Sequence, residues 1–116
     1  MQTLTREALK QKLDAREPMY LINVLEADAF RQARIPGSYN IPLASKNFTG
    51  EVEQLVGDKN TKIVVYCASF SCTASPTAAK RLSQAGFTQV MDFAGGLQDW
   101  QEAGLPVERE RQQYYA

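Results

Sequence analysis

The sequence predicts an α/β domain built on a mostly parallel sheet with helices on both faces. Two observations carry this expectation. Short apolar runs of strand length alternate along the chain with segments of helical period, and strands separated by helices pair in parallel. One run, Lys62-Ile63-Val64-Val65-Tyr66, is β-branched and apolar enough to be buried on both faces, as the central strand of such a sheet is. The chain has 116 residues, 44% of them hydrophobic and 22% charged, which suits one domain over residues 1–116 with a core needing neither disulfide nor metal.

The elements follow in order. Thr5 can cap a first helix running to about Asp14, with Leu9 and Leu13 one turn apart on its apolar face. Met19 to Val24 is an apolar run of strand length, and Ala27 to Ala33 a short helix carrying Phe30 inward. Ile35-Pro36-Gly37 reads as a turn, followed by a short strand from Ser38 to Ile41 that Pro42 closes. Thr49 can cap a helix in which Val52, Leu55 and Val56 share a face, and Gly57 ends it. After the central strand a helix runs from about Thr73 to Ala85. Its inner stripe is Ala74, Ala78, Leu82 and Ala85, and Pro76 falls in the first turn, where a missing N–H costs nothing. Gly86 stops it, Gln89 to Phe93 makes another strand, and Gly95-Gly96 turns into a last helix around Trp100, a core aromatic, ended by Gly104 and Pro106. Residues 108–116 read as a polar, frayed tail, and Tyr114 and Tyr115 within it need no binding role.

Charge and composition exclude several functions. Lys plus Arg equals Asp plus Glu, so the net charge is zero, which argues against nucleic acid or an anionic membrane as partner. Histidine is absent, which removes a His base, a Cys–His pair and a His metal ligand; no metal and no cofactor are expected. The opening residues MQTLTREALKQKL hold no apolar core of signal-peptide length, and no stretch is long enough to span a bilayer, so a cytoplasmic location is expected. The two cysteines then read as reactive rather than as a structural staple.

Cys67 stands where the most apolar strand ends and the loop toward a helix begins, the place where open α/β sheets bind ligands. A loop of this kind aims backbone N–H groups and a helix N-terminus at one point, an anion cradle. A thiol there is expected to ionise more easily than a free cysteine, whose pKa is about 8.5. The competing reading is a buried cysteine packed as a small hydrophobe.

At this point the chain resembles the rhodanese (sulfurtransferase) domain family along nearly its whole length. The family's Gly-His-Ile-Pro-Gly-Ala segment is similar to Ala33-Arg34-Ile35-Pro36-Gly37-Ser38, followed by Tyr39 to Leu43. Its active strand resembles Ile63 to Cys67, and its double Gly, Trp and Gly-x-Pro-Val resemble Gly95-Gly96, Trp100 and Gly104-Leu105-Pro106-Val107. The resemblance implies a five-stranded, mostly parallel sheet. It also implies a persulfide carried on Cys67 and passed to a thiol, with the backbone N–H groups of Ala68, Ser69, Phe70, Ser71, Cys72 and Thr73 as the cradle. The implied partners are a small-molecule or protein persulfide donor and a thiol acceptor.

The loop departs from the common family pattern Cys-x-x-Gly-x-Arg-Ser. Phe70 stands at the Gly position, Cys72 at the Arg position and Thr73 at the Ser position. Without the arginine fork thiosulfate is expected to be a poor donor, and a phosphatase reading weakens. Phe70 cannot take positive φ as freely as Gly, so the cradle backbone is expected to differ. Cys72 could act as a resolving thiol on a Cys67 persulfide, or simply be a small residue pointing away. The family's Asp-x-Arg pair reads Asn23-Val24-Leu25 here, which removes both charges together, and Arg34, in place of the family's His, reads as a solvated surface residue. Three functions are thus in play: a sulfurtransferase on Cys67, a dithiol redox protein on Cys67 and Cys72, and a rhodanese-like binding module without catalysis.

Overall fold

The computed structural model describes residues 2–110. Ten elements alternate: β1 (Gln2–Thr3), α1 (Arg6–Asp14), β2 (Tyr20–Asn23), α2 (Ala27–Gln32), β3 (Tyr39–Asn40), α3 (Phe48–Val56), β4 (Lys62–Tyr66), α4 (Ala74–Gln84), β5 (Gln89–Phe93) and α5 (Gly96–Glu102). The five strands form one sheet in the order β1-β5-β4-β2-β3, and every pairing is parallel. β4 lies at the centre, and all four residues from Ile63 to Tyr66 are fully buried.

The alternation of side chains along β4 separates two cores. Ile63, Val65 and Cys67 face α3 and α4, where they meet Phe48, Val52, Ala78, Ala79 and Leu82. Val64 and Tyr66 face the opposite side and pack with Leu9 of α1, Phe93 and Trp100 of α5. Trp100 sets its ring edge-on to Phe93 at 6.5 Å and donates its indole N–H to the Pro106 carbonyl at 2.8 Å. After β2 the chain turns outward to β3, and after β4 it turns the other way to β5. Loops leaving adjacent strands in opposite directions open a crevice between them, at the carboxyl end of β4.

Local chemistry explains the elements. Thr5 caps α1 by accepting the Ala8 N–H at 3.1 Å. Ile35-Pro36-Gly37-Ser38 is a turn with Gly37 at φ 81°, closed by the Ser38 N–H on the Ile35 carbonyl. The buried Tyr66 hydroxyl pins this turn to the sheet, accepting the Ile35 N–H at 3.1 Å and sharing a hydrogen bond with Ser38 Oγ at 2.8 Å.

Several expectations are corrected. β1 is a two-residue edge strand whose pairing with β5 completes the five. α3 begins after Asn47, not at Thr49, which lies inside its first turn. Phe30 is only half-buried, because no residue of α2 reaches the core and the Arg34 guanidinium covers the ring at 4.9 Å. The predicted tail is anchored where it starts: Glu108 pairs with Arg34 in an antiparallel bridge, and the Glu110 N–H donates to the Arg31 carbonyl. Tyr114 and Tyr115 lie outside the described residues. No helix among the described residues is long and apolar enough to cross a membrane.

Candidate active site

Cys67 follows β4 directly and is completely buried on the α4 face of the sheet. Its thiol lies within donating distance of Ser75 Oγ, at 3.3 Å, and of the Cys72 carbonyl, at 3.6 Å, while the Ser75 N–H reaches the sulfur at 3.4 Å. Cys72, five residues on, is half-buried, and both thiols are free.

The loop between them is a tight turn. The Cys72 N–H donates to the Ser69 carbonyl at 3.1 Å, and the Ser69 and Ser71 hydroxyls meet at 3.0 Å. Phe70 sits at the apex, 73% exposed, and needs no left-handed backbone: Arg16 is the only non-glycine residue with positive φ among those described. The base of the loop is clamped from α5, whose Leu97 and Gln98 N–H groups donate to the Cys67 and Ala68 carbonyls at 2.9 and 2.8 Å. Gly96, at φ 63°, makes this approach possible, since a Cβ there would stand 2.5 Å from the Cys67 carbonyl oxygen.

The electrostatics of the two sulfurs differ. Burial pushes the Cys67 thiol up, and the neighbouring Cys72 pushes it further; the Ser75 hydroxyl and N–H only partly oppose this. Burial also works against ionisation of Cys72, but the Cys67 thiol and the backbone N–H groups of Ala68, Ala74 and Ser75 outweigh it and bring Cys72 below the usual thiol value. The expectation of an easily ionised Cys67 is therefore corrected. Being buried at the strand end, Cys67 keeps its proton, and the anion cradle surrounds its neighbour.

Of the expected cradle, the Ala68 N–H is one of the groups that favour the Cys72 thiolate. Ser69, Phe70 and Ser71 form the turn above, and the exposed Thr73 starts α4 without a side-chain cap, which leaves the first N–H groups of that helix open to the sulfurs. The hydroxyl at Cys67 belongs to Ser75, two positions beyond the Thr73 that the loop comparison selects. Sequence reading missed Ser75, although the signal was present: positions 75, 78, 79 and 82 repeat at helical spacing and form the buried stripe of α4, with one serine among the apolar residues. It also missed Asp92, a carboxylate that is 4% exposed inside β5. Arg34 lies over the Phe30 ring, and the loop from Cys67 to Thr73 holds no Lys or Arg.

Comparison with known proteins identifies the family and the fold. The family model described as the rhodanese-like domain matches residues 5–103. The putative sulfur carrier protein YrkF of Bacillus subtilis is 33% identical over 97 residues, 84% of this chain and 49% of that protein, so the chain spans about half the length of this relative. The putative sulfurtransferase YtwF of the same organism is 30% identical over 103 residues, 89% of this chain and 93% of that protein. Among solved structures, the thiosulfate sulfurtransferase from Pseudomonas aeruginosa superposes with a TM-score of 0.83 at 31% identity, over 95% of this chain and 20% of that one.

Proposed function

The chain belongs to the rhodanese-like domain family, and from this premise we propose that it carries sulfane sulfur as a persulfide on Cys67, with Cys72 as the thiol that meets it. The observation that carries the reading is the pair itself: two free cysteines at the two ends of one tight loop after the central strand, the Cys67 thiol 3.6 Å from the Cys72 carbonyl and 3.4 Å from the Ser75 nitrogen.

The chemistry balances without a cofactor. The Cys67 thiolate attacks the terminal sulfur of a donor persulfide; a bond forms to Cys67 Sγ, the donor's S–S bond breaks, and the donor leaves as a thiol. An acceptor thiolate then takes the terminal sulfur and restores Cys67. In the alternative exit the Cys72 thiolate attacks Cys67 Sγ, expels hydrosulfide and leaves a Cys67–Cys72 disulfide, which an external thiol must reduce. Ionisation of Cys72 below the usual value suits it to that attack. A loop from Cys67 to Thr73 without Lys or Arg suits an uncharged or protein-borne donor better than the thiosulfate dianion. Two free cysteines on one tight loop also favour a second reading, a dithiol that exchanges directly with a partner's disulfide.

The test is incubation with cysteine persulfide followed by mass spectrometry. The expected result is a gain of one sulfur at Cys67, lost in Cys67→Ser. Equal sulfur uptake by Cys67→Ser overturns the assignment, and a disulfide formed from a partner's disulfide without sulfur uptake favours the second reading.

A further inference from the structure

A thiol that is fully buried and pushed up by its surroundings needs somewhere to send its proton. The chain has no histidine to receive it. Among the described residues the buried side chains of polar or charged type are Asn23, Ser75 and Asp92, and the buried Tyr66 hydroxyl is already occupied by the Ile35–Ser38 turn. Ser75 stands beside Cys67, and Asp92 lies on the same face of the sheet.

The sheet register places them. Val65 of β4 pairs with Asp92 of β5, and paired residues of parallel strands point to the same face. Cys67 lies two residues beyond Val65 on that same face, so the Asp92 carboxyl and the Cys67 sulfur both look toward the first turn of α4. Ser75 sits there, its Oγ 3.3 Å from the sulfur. Asp92 is 4% exposed, and its Oδ1 has no hydrogen-bond partner. A carboxylate oxygen left in this state is costly, which makes its place behind a reactive thiol a constraint rather than an accident.

We propose that Asp92, acting through the Ser75 hydroxyl, receives the Cys67 proton when this thiol is activated. The proton moves from Cys67 Sγ to Ser75 Oγ as the Ser75 hydroxyl proton moves to the Asp92 carboxylate. One negative charge passes from carboxylate to sulfur, and the net charge of the closed site is unchanged. Ser75 touches the reacting atom; Asp92 works through it as a positioning residue that decides which way the hydroxyl points. In this relay the Ser75 hydroxyl turns its proton toward the Asp92 carboxylate and offers a lone pair to the thiol. Once protonated, Asp92 frees the hydroxyl to donate to the thiolate or the persulfide anion.

The surroundings leave Asp92 free for this role. β1 brings Gln2 and Thr3, which do not ionise, and β4 brings Val65; α4 brings Ser75 and turns Lys80 and Arg81 to solvent. Burial pushes the Asp92 carboxyl up, toward the range in which it can share a proton with a thiol, and of the neighbours only the Ser75 hydroxyl opposes this.

This inference rests on Cys67 as the sulfur carrier, but its test uses no sulfur donor, so the two can fail separately. Cys67 alkylation by iodoacetamide is followed against pH by site-resolved mass spectrometry in the wild type, Asp92→Asn and Ser75→Ala. An internal proton acceptor makes the wild-type rate level off between the ordinary carboxylate and thiol ranges, about pH 4 to 8.5. In both variants the shoulder disappears, and the rate rises about tenfold per pH unit until the thiol itself titrates. A wild-type profile without a shoulder, or a shoulder that survives in folded Asp92→Asn, overturns the proposal.

Discussion

The Cys67 thiol lies 3.6 Å from the carbonyl of Cys72, the residue whose own sulfur the loop's N–H groups surround. The loop thus gives its two thiols opposite tasks: the buried one holds a proton, and the half-exposed one is ready to lose it. At pH 7 Cys72 has the larger thiolate fraction and the better access. It is expected to alkylate about tenfold faster than Cys67, or more, as site-resolved mass spectrometry would show. Faster labelling of Cys67 would contradict the assignment.

The coupling between the thiols has a direction that substitution exposes. Cys72 adds to the upward push on Cys67, so Cys72→Ser removes part of that push. Cys67 in this variant is expected to titrate at lower pH than in the wild type and to accept sulfur from cysteine persulfide, while release of hydrosulfide without an added thiol is lost. A Cys67 titration that moves upward instead would show that the two sulfurs do not interact as described.

How much of this was legible depends on where the information resides. α1, β4 and the last helix follow from a cap, a β-branched run and a double glycine, all local signals that the sequence carries by itself. β1 has two residues and no pattern of its own; it exists because β5 offers an open edge. Cys67 was legible from its position after the central strand. Its ionisation was not, because which sulfur the N–H groups surround depends on how the loop closes, and Ser69 and Cys72 close it into a turn. Ser75 and Asp92 belong to α4 and β5, which come together only in the fold, so spacing along the chain could not pair them.

Tyr66 ties the sheet to the turn before β3. In Tyr66→Phe the buried Ile35 N–H loses its acceptor and Ser38 its partner, while the ring still packs. The expected loss is about 1–3 kcal/mol of stability. Urea unfolding checks it, as a lower midpoint with an unchanged slope. An unchanged midpoint would mean that the hydroxyl contributes no net stability.

Asp92 makes stability depend on pH. Its folded-state pKa is raised above the ordinary 3.8, first by burial, so the native state binds this proton more tightly than the unfolded chain does. The stabilising contribution is complete below the unfolded value and is lost as pH rises through the folded one. Asp92→Asn does not undergo that loss. Its melting temperature relative to wild type is expected to be higher at pH 7 and to fall toward parity or below near pH 3.5. A difference independent of pH would count against a raised Asp92.

Gly96 is the point where α5 touches the back of the reactive loop. A methyl group there meets the Cys67 carbonyl oxygen at 2.5 Å and the Ser69 nitrogen at 2.8 Å, both backbone atoms that cannot swing aside, and its φ of 63° is strained for alanine. Gly96→Ala must push the loop away from the Leu97 and Gln98 N–H groups that hold it. Gly104, also at positive φ but with open space around it, serves as the control, because Gly104→Ala incurs the backbone strain without the collision. Gly104→Ala is expected to cost about 1–2 kcal/mol. Gly96→Ala should cost more than that in urea unfolding and should also reduce sulfur uptake at Cys67 about tenfold or more, since displacing a reacting group by about 1 Å is enough for losses of that size. Equal stability losses with full sulfur uptake in both variants would show that α5 does not position the loop.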